Sequence, residues 1–581
     1  MVIKKRTGYV LGISCIYGSE GMGHDPSAAL LHEGKIVALA AEERFNRIKK
    51  SPGRFPVMAI NYCLDQAGIQ IEDVDYIGWY SDPDSAVEVW KKGKHSSLRK
   101  MAHALDDMLG QARLNITASE VLSRKKRAEN YLKQNFFRHF RLKNPPVIFI
   151  NHHLCHLASA FYTSGFSETL LVAWDSGGDL LSVMTAVGKG QDIRILNSIP
   201  FSRMSMGALY KIFQRYVNLS DEGSLMGLAS YGRPKGSLDF SVDIDNLRVH
   251  WDKINRPVYY FGKELLRRLG PQRLLGEPIS QGHVQIASDV QDILERMAFK
   301  ILEQAGAETS SKNLCLSGGV ALNATMNGKI ARSNLFENVY VHPNAGDGGC
   351  ALGAAFLAYK QEGGRIENRR LTHVYWGREF SNDECKKILD AVRCKYSYCS
   401  DEHIPEVVSK MLEDQKIIAW FRGKAEWGPR ALGNRSIIAD PRKSEMQDKV
   451  NDIIKYRDEW RPFAPSILEE AADDYLENSF YSPFMLYTFK VKKEKKDIIP
   501  AVVHKDGTTR PQMVRRDINV AYYEMIKRFG EKTGVPVILN TSFNIKGEPI
   551  VDAPIDAIKC FAGSGLDVLV LNNFILEKNP G

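Results

Sequence analysis

At 581 residues the chain is too long for one ordinary core, so two or more domains are expected. Hydrophobic residues at 44% and charged residues at 25% exclude a disordered or fibrous protein. The formal charge of +9 is modest and suits phosphates and nucleotides at least as well as nucleic acid. No apolar run reaches about 18 residues, which argues against a membrane span. The nine cysteines form no CxxC pair. With no apparent signal peptide they read as reduced thiols of a cytoplasmic protein.

In chain order, apolar runs at 9–15, 35–41, 76–80, 147–150 and 170–175 predict strands, and 57–67 and 153–162 predict helices packed on them. A second set follows, with strands at 313–316 and 339–341 and helices at 320–331 and 349–359. Strands interleaved with helices predict a layered α/β fold. The polar stretch QEGGRIENRR at 361–370 is a linker. Beyond it come helices at 383–392, 403–413 and 522–529 and strands at 417–421, 485–491 and 535–539. The sequence shows no short repeat. The basic run at 123–143, with Phe136, Phe137 and Phe140 inside it, reads as the solvated face of a helix whose aromatics enter the core.

Candidate chemistry is concentrated in NHHLCHLASAF and the strand that follows. His152 and His156 stand four residues apart, so they share a helix face and can grip one metal ion. Asp347, from the NAGDGG turn, is a third ligand candidate and Asp175, at the end of LLVAW, a fourth. Nitrogen and carboxylate donors together suit iron, zinc or manganese better than magnesium. His153 points away from that face. An HxxxH alone is commonly two surface histidines, and the aspartates change that balance.

Four glycine-rich segments, DSGGD at 175–179, EGSLMGLA at 222–229, LSGGVALN at 316–323 and NAGDGG at 344–349, together point to nucleotide or phosphate handling. Each one alone could be a tight turn. GHDPSAALL places His24 and Asp25 after a glycine bend, where His24 could act as a general base or sit as a structural loop residue. Further on, Arg430, Arg435, Lys455, Arg457, Arg461 and Arg510 gather with Asn540, Ser542 and Asn544 of VILNTSFN. Cations set among Pro, Phe and Leu are costly without an anionic partner, so they suggest a pocket for phosphate.

These motifs, with HDPSAALL, EERFNRIK, MGLASYG, GPRALGNRS, RPFAPS, DGTTRPQ and NTSFNIKGEP among them, resemble the O-carbamoyltransferase family of nodulation, cephamycin and tobramycin enzymes. The likeness keeps the family's order from about residue 9 to 575. It implies a Kae1-like domain of the actin/Hsp70/sugar-kinase fold at 1–365, binding metal and nucleotide and carrying out carbamoyl transfer. It also implies a smaller YrdC-like α/β domain at 371–581 that makes carbamoyl-adenylate from carbamoyl phosphate and ATP. By the same resemblance, iron (Fe2+) or a similar divalent metal would sit on His152, His156, Asp175 and Asp347. His24 and Lys49 would be catalytic. Gly177, Gly178, Asp179, Gly318, Gly319 and Asn323 would bind nucleotide, with Mg2+ accompanying ATP. Arg430, Lys455, Arg461, Arg510, Asn540, Ser542 and Asn544 would contact carbamoyl phosphate or the adenylate.

The implied acceptor is the hydroxyl of a small natural product or sugar. Membrane and nucleic-acid partners are not expected, and a homodimer is left open. Adenylation gives carbamate a good leaving group, and a metal can act as a Lewis acid. Two departures stand out: Ser176 occupies a position often glycine in the family, and Ser224 one that is often lysine. Two other functions share parts of this pattern. Threonylcarbamoyl transfer to tRNA predicts salt-sensitive tRNA binding. A non-catalytic ATP-binding regulator of the actin/Hsp70 class predicts no dependence on carbamoyl phosphate.

Overall fold

A computed structural model describes residues 7–15, 24–85, 118–141, 145–256, 260–455 and 459–578. Two compact units emerge. The first runs to Leu371 and the second from Thr372, with Arg47–Lys49 and Asn327–Lys329 grouping with the second. No helix among the described residues is long and apolar enough to cross a membrane. All nine cysteines are free thiols.

The first unit holds two five-stranded sheets. In one, β1 (Tyr9–Ser14), β2 (Ser27–His32) and β3 (Lys35–Ala41) form an antiparallel meander. Next, β4 (Tyr76–Trp79) joins β1 in parallel and β5 (Val147–Phe149) joins β4 in parallel, giving the order β3-β2-β1-β4-β5. The second sheet repeats this plan. Its meander is β6 (Glu168–Gly178), β7 (Leu181–Lys189) and β8 (Asp192–Pro200), and β9 (Asn313–Ser317) and β10 (Asn338–Val341) add in parallel. Parallel strands need helical crossovers, which Val57–Ala67 and Gln281–Ala307 help supply. The twice-used module is the actin/Hsp70/sugar-kinase-like architecture. No short sequence repeat announces it, because the topology constrains only apolar patterning.

Each sheet is apolar for a reason visible in the strands: β1 and β2 are buried almost throughout, as VLGIS and SAALL read. The helix Ala118–Phe140 carries most of the basic run. Phe136 is fully buried and Phe140 packs against the same core, whereas Phe137 is turned to solvent. The expected helix over 320–331 is broken. A 3-10 turn, Gly319–Leu322, precedes the helix Ala324–Ala331, and Asn323 sits at the break. Helix Asp347–Gln361 lies close on its neighbours because small residues face them. A Cβ on Gly353 would fall 1.9 Å from the Cys155 carbonyl oxygen, and one on Gly12 1.8 Å from that of Ala351. That close packing brings Asp347 to the helix His152–Tyr162.

Glu42 shows how this packing titrates. It is buried, and its carboxylate accepts from the Ala59 amide at 2.9 Å. Desolvation raises it to about 7, against those amide bonds and the charge of Arg54. A carboxyl whose folded value is raised binds extra protons when folded, so its contribution declines as pH climbs from the usual carboxylate range through 7. Glu42→Gln is expected to flatten that decline and be the more stable protein at pH 8, by up to about 3 kcal/mol. Urea midpoints at pH 5 and 8 check it. A wild-type slope retained in the variant would assign the decline elsewhere.

The second unit is built on an eight-stranded mixed sheet. In chain order its strands are β11 (Ser397–Tyr398), β12 (Ile418–Phe421), β13 (Arg435–Ala439), β14 (Ala464–Leu468), β15 (Gln512–Val514), β16 (Val537–Ser542), β17 (Val568–Leu571) and β18 (Phe574–Glu577). They lie in the order β11-β18-β17-β12-β13-β16-β14-β15. The expected strand over 485–491 shrinks to Phe489–Lys490. Met485 has a φ of +56°, which breaks extended backbone.

Candidate metal centre and arginine end

Helix His152–Tyr162 starts from Asn151, whose side chain accepts from the Leu154 amide and caps it. One turn then separates His152 from His156, and both Nε2 atoms face the same point, 3.2 Å apart. Asp175 Oδ2 comes from the end of β6 and lies 3.4 Å from His152 Nε2 and 3.2 Å from His156 Nε2. Asp347 Oδ1 is 3.8 Å from each of these nitrogens. All four side chains are buried, and their donor atoms lie within 4.8 Å of one another. His153, as read from the spacing, faces elsewhere, and burial holds it near 3, well below an ordinary imidazole.

Charges within this cluster shift the protonation of His152, Asp175 and Asp347. Desolvation pulls His152 down, yet the hydrogen bond to Asp175 and the charge of Asp347 raise it to about 9. Burial, with Asp175 beside it, pushes Asp347 upward. Asp175 lies well below the carboxylate range: desolvation opposes this, and the two imidazoles outweigh it. Two nitrogens pointing at each other and at two carboxylate oxygens are satisfied together by one cation. Separations of 3.2 to 3.8 Å are those that ligand bonds of about 2 Å around a common centre produce. The donors therefore fit a divalent transition metal. Spacing arguments did not find Cys350, whose buried thiol also stands within 4.8 Å of the two imidazoles.

His24 stands at the rim, its side chain 44% exposed. Its Nδ1 lies 3.0 Å from Asp25 Oδ2 and 3.9 Å from Asp347 Oδ2. Desolvation lowers its pKa, but the Asp25 hydrogen bond and the Asp347 charge win and raise it. The lysine whose charge acts on His24 and Asp25 is Lys50, while Lys49 groups with the second unit. The Lys50 carbonyl also accepts from the Asp25 amide at 2.8 Å. The chain turns here through positive φ at Lys50 and Ser51, which sets the lysine next to Lys49 beside His24 and Asp25.

The glycine-rich turns pack around the metal donors. A Cβ on Gly178 would lie 2.1 Å from His152 Cδ2, and one on Gly318, at φ +87°, 2.2 Å from the Trp174 carbonyl oxygen. Gly177 faces Phe201, and Gly319 faces Asp175 Oδ1 at 3.1 Å. The Asp179 oxygens accept from Ser81, Asp82 and His152. Asn323 exchanges amide hydrogen bonds with Gln291 and accepts from the Met326 amide. The side chains of Asp179 and Asn323 thus serve internal contacts, a difference from their reading as nucleotide contacts.

In the second unit, register places the basic residues. Ser436 pairs with Ser542, Ala464 with Asn540, and Ser466 with Gln512. Arg430, Arg461 and Arg510 each precede one of these strand starts, so they and Ser542 belong to one end of the sheet. The Lys455 side chain and Arg457 lie outside the described residues. Arg510 donates to the Met485 carbonyl at 3.0 Å. Asn540 is buried, donating to Ser466, Gln512 and the Ala431 carbonyl. Ser542 donates to Asn544, which holds the Ile545 and Glu548 carbonyls. Arg435 has a structural role: fully buried, it lies 3.6 Å over the Phe421 ring and donates to the carbonyls of Arg422, Gly423, Asn434 and Arg378. Glu426 completes that loop. One oxygen accepts from the amides of Leu432, Asn434 and Arg435, at 2.7, 2.9 and 3.2 Å.

Fold and site together define an α/β enzyme of actin/Hsp70/sugar-kinase-like architecture, joined to a second mixed-sheet unit. The chain belongs to the carbamoyltransferase family. The family model of the carbamoyltransferase N-terminus matches residues 10–356, and that of the carbamoyltransferase C-terminus matches residues 409–578. It is similar to nodulation protein NolNO of Sinorhizobium fredii, 38% identical over 569 residues, 96% of this chain and 79% of that one. It is also similar to nodulation protein NolO of Bradyrhizobium diazoefficiens, 40% identical over 443 residues, 74% of this chain and 79% of the relative. Among solved structures, HypF of T. kodakarensis gives a TM-score of 0.30 at 14% identity, covering 61% of this chain and 48% of that one. A likeness that weak bears no weight for the site. Carbamoyl transfer is the enzyme's chemistry.

Proposed function

We propose that the protein is an ATP-dependent O-carbamoyltransferase. In this reading the second unit, YrdC-like in role, works in two stages. Water first converts carbamoyl phosphate to carbamate and phosphate. Carbamate oxygen then attacks the α-phosphorus of Mg2+–ATP, giving carbamoyl-adenylate and expelling pyrophosphate. Arg430, Lys455, Arg461 and Arg510 hold the anionic groups, with Ser542 beside them. Asn540 and Asn544 act through the buried network that fixes this sheet end, rather than by direct contact.

The first unit, Kae1-like in role, transfers the carbamoyl group to a hydroxyl of a small natural product or sugar and releases AMP. The observation that carries this half is the buried set His152, His156, Asp175 and Asp347 with His24 at its rim. Those four would hold iron (Fe2+) or a similar divalent ion, which supplies Lewis acidity when bound. Asp25 fixes Nδ1 of His24, leaving Nε2 to accept the proton of the incoming hydroxyl. By the family resemblance the nucleotide sits at the turns of Gly177, Gly178, Gly318 and Gly319, with Asp179 and Asn323 beside them.

The test is incubation with ATP and carbamoyl phosphate, followed by mass spectrometry for carbamoyl-adenylate. Arg510→Ala is expected to reduce its formation by at least about a hundredfold, the loss of one charge-stabilising donor at a reacting phosphate. Wild-type protein that never consumes ATP in the presence of carbamoyl phosphate would end the proposal.

A further inference from the structure

The strand that delivers Asp175 ends in a hairpin with an odd second residue. Asp179 and Leu180 both have positive φ, +48° and +63°. That is the backbone of a two-residue hairpin turn normally filled by Asn-Gly. Leucine in the left-handed region is strained, and such strain persists where surrounding contacts over-determine it.

Those contacts converge on Asp179. Oδ1 accepts from the Ser81 hydroxyl at 2.7 Å. Oδ2 accepts from the Asp82 amide at 3.0 Å and from the His152 amide at 2.8 Å. The His152 amide is the first of the helix His152–Tyr162, a donor that helix geometry leaves without an intrahelical partner. The Asn151 cap serves Leu154 instead and also donates to Ser85 at 3.0 Å. A carboxylate at this helix start is favoured by the helix dipole as well. Tyr80, adjacent to Ser81, sets its ring 5.2 Å from the His152 ring. Gly178, adjacent to Asp179, leaves room for that ring on its other side. Two short segments, residues 80–82 and 178–179, thus bracket the first residue of the histidine helix.

We propose that Asp179 is a positioning residue for the metal centre: its carboxylate ties the end of β4 and the β6–β7 hairpin to the first residue of the histidine helix, and so sets where His152 presents Nε2. This rests on the reading of His152, His156, Asp175 and Asp347 as ligands of a divalent ion. Partners that orient ligands are worth about ten- to a hundredfold in metal affinity.

The test is Co2+ titration of the full chain after chelator treatment, followed by visible absorption and far-UV circular dichroism. Asp179→Ala is expected to bind Co2+ about ten- to a hundredfold more weakly, with a changed d–d spectrum at saturation and unchanged helix content. Asp179→Asn should bind close to wild type. Its amide oxygen can still accept from both N–H groups while its NH2 donates to the Ser81 hydroxyl. A purely structural role would lower stability without moving the spectrum at saturation. Should Asp179→Ala not fold, Ser81→Ala decides, because it frees one carboxylate oxygen and leaves the helix contact in place. The expected result is then a several-fold loss. Wild-type affinity and spectrum in Asp179→Ala, or in Ser81→Ala where that variant does not fold, would overturn the inference, whereas wild-type protein taking up no Co2+ would overturn the metal centre itself.

Discussion

His24→Ala is expected to leave carbamoyl-adenylate formation unchanged and to slow transfer to an alcohol by about 10²- to 10⁴-fold, the usual contribution of a positioned general base. The expectation follows from its placement. His24 is half-exposed, so an acceptor can reach it, and Asp25 holds its Nδ1 at 3.0 Å. It stands 3.9 Å from Asp347, one of the four candidate ligands, so a proton taken there leaves close to the metal centre. His24 belongs to the first unit and the arginine end to the second. Mass spectrometry of the adenylate, beside carbamate-ester formation on whichever alcohol the wild type accepts, separates the two steps. Equal damage to both would refute the division of labour.

His156→Ala is expected to lower metal affinity by more than about a hundredfold, beyond what the loss of an outer-shell partner costs. His156 is fully buried, and its Nε2 is within 3.2 Å of both His152 Nε2 and Asp175 Oδ2. Its removal leaves Asp175 with one imidazole where it had two. The thermal midpoint offers a second measure. A ligand at a hundred times its dissociation constant stabilises the folded state by about 2.7 kcal/mol, so added Fe2+ or Co2+ should raise the wild-type midpoint and leave the variant's unmoved. An equal rise in both would remove His156 from the ligand set.

Much of this was legible in the sequence. The HxxxH spacing, the aspartate ending an apolar strand and the NAGDGG turn pointed to the four donors that the fold gathers within 4.8 Å. Spacing along one helix or one strand survives folding intact. What the sequence leaves unmarked depends on turns and on distant partners. The charge of Lys50 beside His24 and Asp25 is hidden in a run of charged residues, because the turn there rests on positive φ at Lys50 and Ser51. The inner partners of Asp179 and Asn323, namely Ser81, Asp82 and Gln291, come from remote segments. Arg435 resembled an anion donor, and only the backbone carbonyls curling around it reveal a structural pin. The strands β2, β7 and β8 are not among those the apolar runs predict, and the family resemblance, not the runs, is what implied the actin/Hsp70/sugar-kinase fold that holds them. The two copies of the doubled module share an order of strands, and residue identities do not betray it.

The doubled module carries a consequence for how the donors are inherited. Both imidazoles issue from the helix that closes the first copy, and both carboxylates belong to the second copy, at its opening strand and its closing helix. Cutting the gene between residues 162 and 168 would give one fragment with only nitrogen donors and another with only oxygen donors. Neither half could chelate alone, so ion uptake would report reunion of the fragments.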